Sequence, residues 1–452
     1  MRFRKFGKAL LMGALSVGVV LGVTSCVQSY TVGFLFVTGN STAGTDQGII
    51  SGFKIDHNTG NLTTINTLPV ASGGPNPGRA VLADSSRFMY VLNRGTDPAT
   101  NGPCTASTAP GACSGANISQ FAVGGTGVLS FQAVFYSQGS NPFRIIADSS
   151  GNYLFVLDAV APSGTGCAAA LGPTVTSCGD ITAFKIDPST GRLTLLVNAQ
   201  VSSATGTPLP YFPVPANPID MTLSGSFLFT LAGTPTAGDV VFPYGYSSST
   251  GQLTISQNSA QPIGAHEATA ILSASGIIYV LDNEPLTIQS GNSGNFAPGT
   301  YLSQVLPFTS GTGGALQAQT GGAVPDDPNE SNPIMLIAET SKAKWVYLAN
   351  QGANTSGTVA QSGVVGYVID PTSKQLTPMA GSPFAFGSGP QCLLEDPSNQ
   401  FLYTANFNDS TVTGRALDVN SGSLNGLKGK AGSASFKLQG PAAWCLVSGR
   451  TS

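Results

Sequence analysis

Phe184-Lys185-Ile186-Asp187-Pro188-Ser189-Thr190-Gly191-Arg192-Leu193-Thr194-Leu195-Leu196 is the stretch on which the reading of this chain turns. Phe184 and Ile186 alternate with Lys185 and Asp187 at the period of two of a half-buried strand, and Asp-Pro-Ser-Thr-Gly supplies turn residues before a second strand begins at Arg192. The segment predicts a hairpin. The same hairpin returns with Thr59-Gly60-Asn61-Leu62, Thr126-Gly127-Val128-Leu129 and Thr250-Gly251-Gln252-Leu253, and more faintly at Leu306 to Leu316, Tyr367 to Leu376 and Arg415 to Leu424. The leucine after each turn marks seven copies, Leu62, Leu129, Leu193, Leu253, Leu316, Leu376 and Leu424, spaced by 67, 64, 60, 63, 60 and 48 residues.

A period near sixty is too long for a helix-pair solenoid and suits four strands with their loops, one blade of a β-propeller. The other two strands precede each hairpin. One is an apolar run ending in a small polar residue, as in Met89-Tyr90-Val91-Leu92-Asn93 and Leu402-Tyr403-Thr404-Ala405-Asn406, whose continuous hydrophobicity implies cover on both faces. Before it comes an inner strand announced by proline, as in Pro77 to Leu82, Pro142 to Ile146, Pro218 to Met221, Pro333 to Leu336 and Pro390 to Leu394. The expected fold is all-β, a seven-bladed propeller with four antiparallel strands (a to d, from the axis outward) in each blade. Phe34 already belongs to a strand b, and Pro441 to Val447 reads as an unattached strand a. The ring should therefore close by pairing the C-terminal strand with the N-terminal blade, which removes the exposed sheet edges.

Arg2, Arg4, Lys5 and Lys8 precede an apolar run, Ala9 to Val23, that is too short for a comfortable membrane span, and Val23-Thr24-Ser25-Cys26 follows. That ending resembles the lipobox of bacterial lipoproteins, which implies a signal peptide over residues 1–25, a lipid anchor on Cys26, a tether over 26–30 and the propeller over 31–452. An ordinary secretory signal cut nearby is the alternative. Taking four basic residues from 19 leaves 15 against 22 acidic ones, a formal charge of −7. That balance argues against nucleic acid as a partner and limits membrane contact to the anchor. The reading is of a monomer without a cofactor. Two histidines rule out a three-histidine zinc site, and no cysteine pairs have zinc spacing. With Cys26 set aside, six cysteines remain. Cys104 with Cys113, and Cys167 with Cys178, lie in matching insertions and predict short-range disulfides, with free buried thiols as the alternative. Cys392 and Cys445 stand at corresponding places in the last inner strand and the closing strand, and predict a third bridge.

Loops joining b to c and d to a share one face and are long; those joining a to b and c to d are tight. Function is expected on the long-loop face. Polar residues intrude there at the starts of the inner strands: Arg79 and Arg144 at equivalent positions, Asp220 at the next, and His266-Glu267 leading into Ala268 to Leu272. Together they could bind a carboxylate or phosphate and offer an acid or base. Polar channel lining without chemistry is the competing reading. The first predicts an open pocket of a few hundred Å³ with at least two of the five pointing into it. The second predicts mutual salt bridges. His57 occupies a turn position. The acidic stretch Asp326-Asp327-Pro328-Asn329-Glu330 fits no EF-hand loop and reads as a solvated loop.

The recurring D-x-S-G, [FY]-[LV]-Y-V-x-N and F-x-I-D-x-x-T-G-x-L patterns, as in Asp148 to Asp158 and Phe184 to Leu193, resemble the seven-bladed lactonase-type propellers, which include 6-phosphogluconolactonase relatives and YVTN surface proteins. The resemblance runs from about Thr31 to Val447. It implies lactone opening by an arginine, histidine and carboxylate set, with no family motif matched residue by residue here; on the reading of the inner-strand starts, Arg79 and Arg144 would hold the anionic or carbonyl oxygen and His266 or Glu267 would activate water, with Asp220 beside them. The two functions to weigh are hydrolysis of an extracytoplasmic lactone and a non-catalytic envelope module for a glycan or partner protein.

Overall fold

The computed structural model describes residues 30–449 except 42–46, 106, 163, 235–237, 257–259, 290–295, 353, 356–357, 360 and 430–433. Residues 1–25, read above as a signal peptide, and Cys26 lie outside the described residues. Seven antiparallel sheets follow one another as blades. Blade 1 takes its strand a from Ala442–Gly449 and its b, c and d from Thr31–Asn40, Gly48–Asp56 and Leu62–Thr64. The inner strands of blades 2 to 7 are Pro77–Ala83, Ser140–Ala147, Pro218–Ser224, Ala268–Ala274, Pro333–Ala338 and Pro390–Glu395. Their strands b are Phe88–Asn93, Tyr153–Val160, Phe227–Ala232, Ile277–Asp282, Trp345–Asn350 and Phe401–Asn406.

The C-terminal strand closes the ring as expected, with Leu35 opposite Val447 and Val37 opposite Cys445. The three disulfides join Cys104 to Cys113, Cys167 to Cys178 and Cys392 to Cys445, with Cα separations of 6.0, 5.7 and 5.8 Å. The last one ties the inner strands of blades 7 and 1 together.

Strand b is buried at every residue in blades 2, 5, 6 and 7, because neighbouring blades cover both of its faces. Its tyrosine reaches into the next blade. The hydroxyls of Tyr90, Tyr347 and Tyr403 donate to the carbonyls of Gly191, Gly422 and Gly60 at 2.5, 2.6 and 2.6 Å. These glycines end the c–d turns, where an aspartate such as Asp187 accepts from the backbone N–H groups of Ser189 and Thr190 at 2.9 Å. Gly191 has φ of 68°, and a Cβ there would lie 2.5 Å from the Phe88 ring, so only glycine fits. The Y-V-x-N and T-G-x-L halves of the repeat thus recur together because they touch across blades.

Three features depart from the sequence reading. The outer strand is split in five blades: in blade 1, Leu62–Thr64 pairs with one end of strand c and Val70–Ala71 with the other. A helix, Gly164–Leu171, occupies the insertion of blade 3, and a hairpin, Leu286–Ile288 with Gly299–Tyr301, that of blade 5. The acidic loop is a correction, since Asp326 and Glu330 are buried rather than solvated. The loop folds back onto the end of strand b in blade 6, where Asn350 Nδ2 donates to Asp326 Oδ1 at 3.2 Å and to Glu330 Oε2 at 3.1 Å. Burial pushes their pKa values up to about 7 and about 8. In blade 3 the corresponding strand ends place Asp158 opposite Asp180, both buried. Burial raises Asp158 to about 7, and burial plus repulsion from Asp158 raises Asp180 well above its ordinary value.

Candidate functional site

Each of the seven inner strands breaks register with its strand b at the same point, just after the entering proline or its equivalent. A β-bulge leaves an extra residue unpaired and re-aims side chains. Six of the unpaired positions are Phe143, Ile219, Thr269, Ile334, Gln391 and Ala443, while blade 2 carries two, Gly78 and Arg79. The bulges therefore build one tier of residues around the axis. A second tier comes from the residue after strand b, as with Arg94, Gln351 and Phe407.

Between these tiers lies a cavity of about 380 Å³ on the long-loop face, lined by Arg79, Arg94, Arg144, Thr269, Gln391 and Trp444 among others. Among the described residues, no carboxylate lines it. Asp220 sits fully buried beside it and takes Arg79 in a two-pronged pair, Nη1 to Oδ1 at 2.9 Å and Nη2 to Oδ2 at 3.2 Å. The backbone N–H of Met221 donates to the same Oδ1 at 2.9 Å. Arg79 also stacks on Trp444, with Cζ 4.5 Å from the ring centroid. Arg144 Nε lies 3.3 Å from Asp220 Oδ1, close enough for ionic attraction but too poorly aligned for a hydrogen bond, so that N–H is left without a partner. Burial pushes the Arg144 pKa down to about 10, opposed by Asp220 and reinforced by Arg79 and Arg94. Burial also lowers that of Arg94, whose Nε is likewise buried without a partner.

Among the described residues, three guanidinium groups thus share the region with one carboxylate, which Arg79 and Arg144 already engage. The excess positive charge suits an anionic oxygen, although Arg144 Nη1 also donates to the Phe143 carbonyl at 3.2 Å. Arg79 borders a second cavity of about 680 Å³ on the opposite side, walled by Ile146, Met221, Ile271, Leu336 and Leu393. The Arg79 pair stands between the two.

Of the five residues expected at the site, Arg79, Arg144 and Asp220 come together. The pocket is open, and a salt bridge sits at its floor. His266 and Glu267 are elsewhere, in a shallower hollow of about 400 Å³ with Ile219 and Asp239. His266 is mostly exposed and its Nδ1 lies 2.9 Å from Glu284 Oε2, which raises its pKa above the ordinary histidine value. Arg94 was not among the expected residues; its one sequence signal is its place directly after the polar end of strand b. Among the described residues, no group of three or more His, Cys, Asp or Glu side chains is arranged to hold a metal ion.

By sequence, no family model and no curated protein matches the chain. By structure, it is similar to a "putative 6-phosphogluconolactonase" from Bacteroides fragilis, at 15% identity and a TM-score of 0.60 over 92% of this chain and 98% of that one. It is equally similar to the periplasmic gluconolactonase PpgL of Pseudomonas aeruginosa, at 16% identity and a TM-score of 0.60 over 93% and 100%. A "putative 6-phosphogluconolactonase" from Bacteroides uniformis superposes with the same score at 15% identity, over 92% and 100%. At these identities the likeness is one of fold, and the fold of this chain is the seven-bladed propeller of the lactonase-type proteins.

Proposed function

We propose that the axial pocket takes an anionic lactone or its ring-opened acid outside the cytoplasm, and that it promotes ring opening. The observation that carries the reading is that Arg94 and Arg144 line a cavity that no carboxylate lines among the described residues, while the one carboxylate beside it, Asp220, is shared between Arg79 and Arg144. In this reaction water adds to the lactone carbonyl, the ring C–O bond breaks, its electrons pass to the ring oxygen, and that oxygen takes a proton. The product is a hydroxy acid. Arg144 would hold the carbonyl oxygen as its negative charge develops, an effect worth roughly 10²–10³ in rate for one such donor. Three disulfides and the fold shared with a periplasmic gluconolactonase support an extracytoplasmic setting, and the lipobox-like stretch supports anchoring through Cys26.

A non-catalytic pocket for a glycan or partner protein is the second reading. It is favoured by the separation of His266 and Glu267 from the axial pocket, which leaves no unpaired general base there among the described residues. Hydrolysis of a panel of sugar lactones by the purified chain separates the two. The enzyme reading expects turnover that falls about a hundredfold in Arg144→Ala. No turnover above buffer for any lactone ends it in favour of binding.

A further inference from the structure

We propose that Arg94 is an anion-gripping residue of the axial pocket and that the Cys104–Cys113 bridge holds its guanidinium in place, so that the bridge sets the pocket's affinity. This rests on the anion-pocket reading above. Arg94 follows Asn93, the last residue of strand b in blade 2, and lines the cavity together with Pro103 from the bridged loop. Its Nη2 donates to the carbonyl of Cys104 at 2.6 Å, and Cys113 Sγ lies 3.0 Å from the carbonyl oxygen of Arg94. Both halves of the disulfide therefore touch the same arginine, one at the side chain and one at the backbone.

The backbone beneath is fixed as well. Gly95 turns with φ of 81°, and a Cβ there would come 2.5 Å from Cys113 Sγ. Its carbonyl accepts from Asn76 Nδ2 at 3.0 Å, and the Arg94 N–H donates to the Asn76 carbonyl at 3.0 Å. What the loop does not supply is countercharge. Arg94 belongs to none of the four ion pairs among the described residues, and its Nε–H is buried without an acceptor. A half-buried guanidinium without a carboxylate beside it is costly, and an anionic ligand reaching the pocket would relieve that cost. A disulfide and a carbonyl thus place a charge that no carboxylate neutralises among the described residues. A merely structural arginine would be paired.

The test titrates inorganic phosphate into the purified full chain by calorimetry at low salt. Arg144→Met reports on the pocket as a whole, and Arg94→Met, Arg94→Lys and the Cys104→Ser/Cys113→Ser pair report on the inference. Arg94→Met should weaken binding at least tenfold. Arg94→Lys should recover only part of the loss, because the planar fork is gone. The serine pair should weaken binding severalfold, and adding Arg94→Met to it should cost less than Arg94→Met does alone, as coupled residues require. Binding that depends on Arg144 but changes less than twofold in Arg94→Met overturns the inference and leaves the anion pocket standing. Full additivity of the arginine and serine changes overturns the role of the bridge. No phosphate binding by the unaltered chain overturns both the inference and the anion reading. Should the serine pair fail to fold, the Met and Lys variants still decide the role of Arg94.

Discussion

Arg79 and Asp220 stand 141 residues apart in the chain and meet side by side at the axis, joined by hydrogen bonds of 2.9 and 3.2 Å. Asp220 is wholly buried and Arg79 nearly so, with 11% of its side chain exposed. Removing one partner of such a pair leaves the other charge stranded, which costs about 3–5 kcal/mol. Asp220→Ala should lose stability of that order in chemical denaturation, and the double change Arg79→Met/Asp220→Leu should recover most of it. A loss below about 1 kcal/mol for Asp220→Ala would show that the pair is already hydrated.

The bridge between Cys392 and Cys445 closes a loop of 53 residues between the last inner strand and the closing strand. In the chain-entropy model a loop of this length contributes about 4 kcal/mol. Cys445→Ser should lower stability by roughly that amount while leaving the near-ultraviolet dichroism native in the cold. An unchanged denaturation midpoint would mean that pairing of the Val37 and Cys445 strands closes the ring unaided.

Buried carboxyls set the pH dependence. Asp158, Asp326 and Glu330 hold their protons up to about 7, about 7 and about 8 in the folded chain, and Asp180 is also raised. A raised acid binds its proton more tightly when folded, so its contribution is complete below the unfolded value near 4 and is lost as pH climbs through the folded value. Turn carboxylates such as Asp187, held down to about 2 by its turn hydroxyl and N–H groups, act in the opposite sense, but only below pH 4. The melting temperature should therefore be highest near pH 4 and fall steadily from there to about pH 8. Each pKa unit carries on the order of 1.4 kcal/mol. Asp158→Asn should flatten that fall; a slope unchanged in this variant would place the titration elsewhere.

Anchoring makes a separate expectation. If Cys26 carries the lipid, Cys26→Ser should appear in the soluble envelope fraction or remain as an uncut precursor, as read by fractionation and by the mass of the chain. Membrane retention at the processed mass, unchanged by the substitution, would remove Cys26 from that role.

The fold was legible because two signals that depend on local chemistry recur around the ring, a tight turn that ends in glycine in every blade but the sixth and a largely apolar strand b. Arg79, Arg144 and Asp220 were legible for a related reason: they follow the inner strand's entry, where a bulge turns residues to the axis. Arg94 was not, because its direction is set by a disulfide loop whose path no periodicity records. His266 and Glu267 stand before an inner strand too, yet they precede its bulge and turn to a different hollow. The burial of Asp326 and Glu330 was hidden for a third reason. Their loop is polar in composition, and only its return to Asn350 makes it interior.

The tyrosine contacts between blades have a consequence for assembly. Tyr90, Tyr347 and Tyr403 are each completed by a glycine of the next repeat and Tyr153 by the carbonyl of Ser249 in its next repeat, and Tyr403 finds its partner in Gly60, 343 residues earlier. The cooperative unit is thus the joint between two blades rather than the blade itself, and around the ring the joints have no first member. A circularly permuted chain that links residue 449 to residue 31 and opens at a tight turn keeps every joint. A chain shortened by one blade leaves a tyrosine hydroxyl facing a gap, and its unfolding should be broad and early where the permuted chain's is sharp.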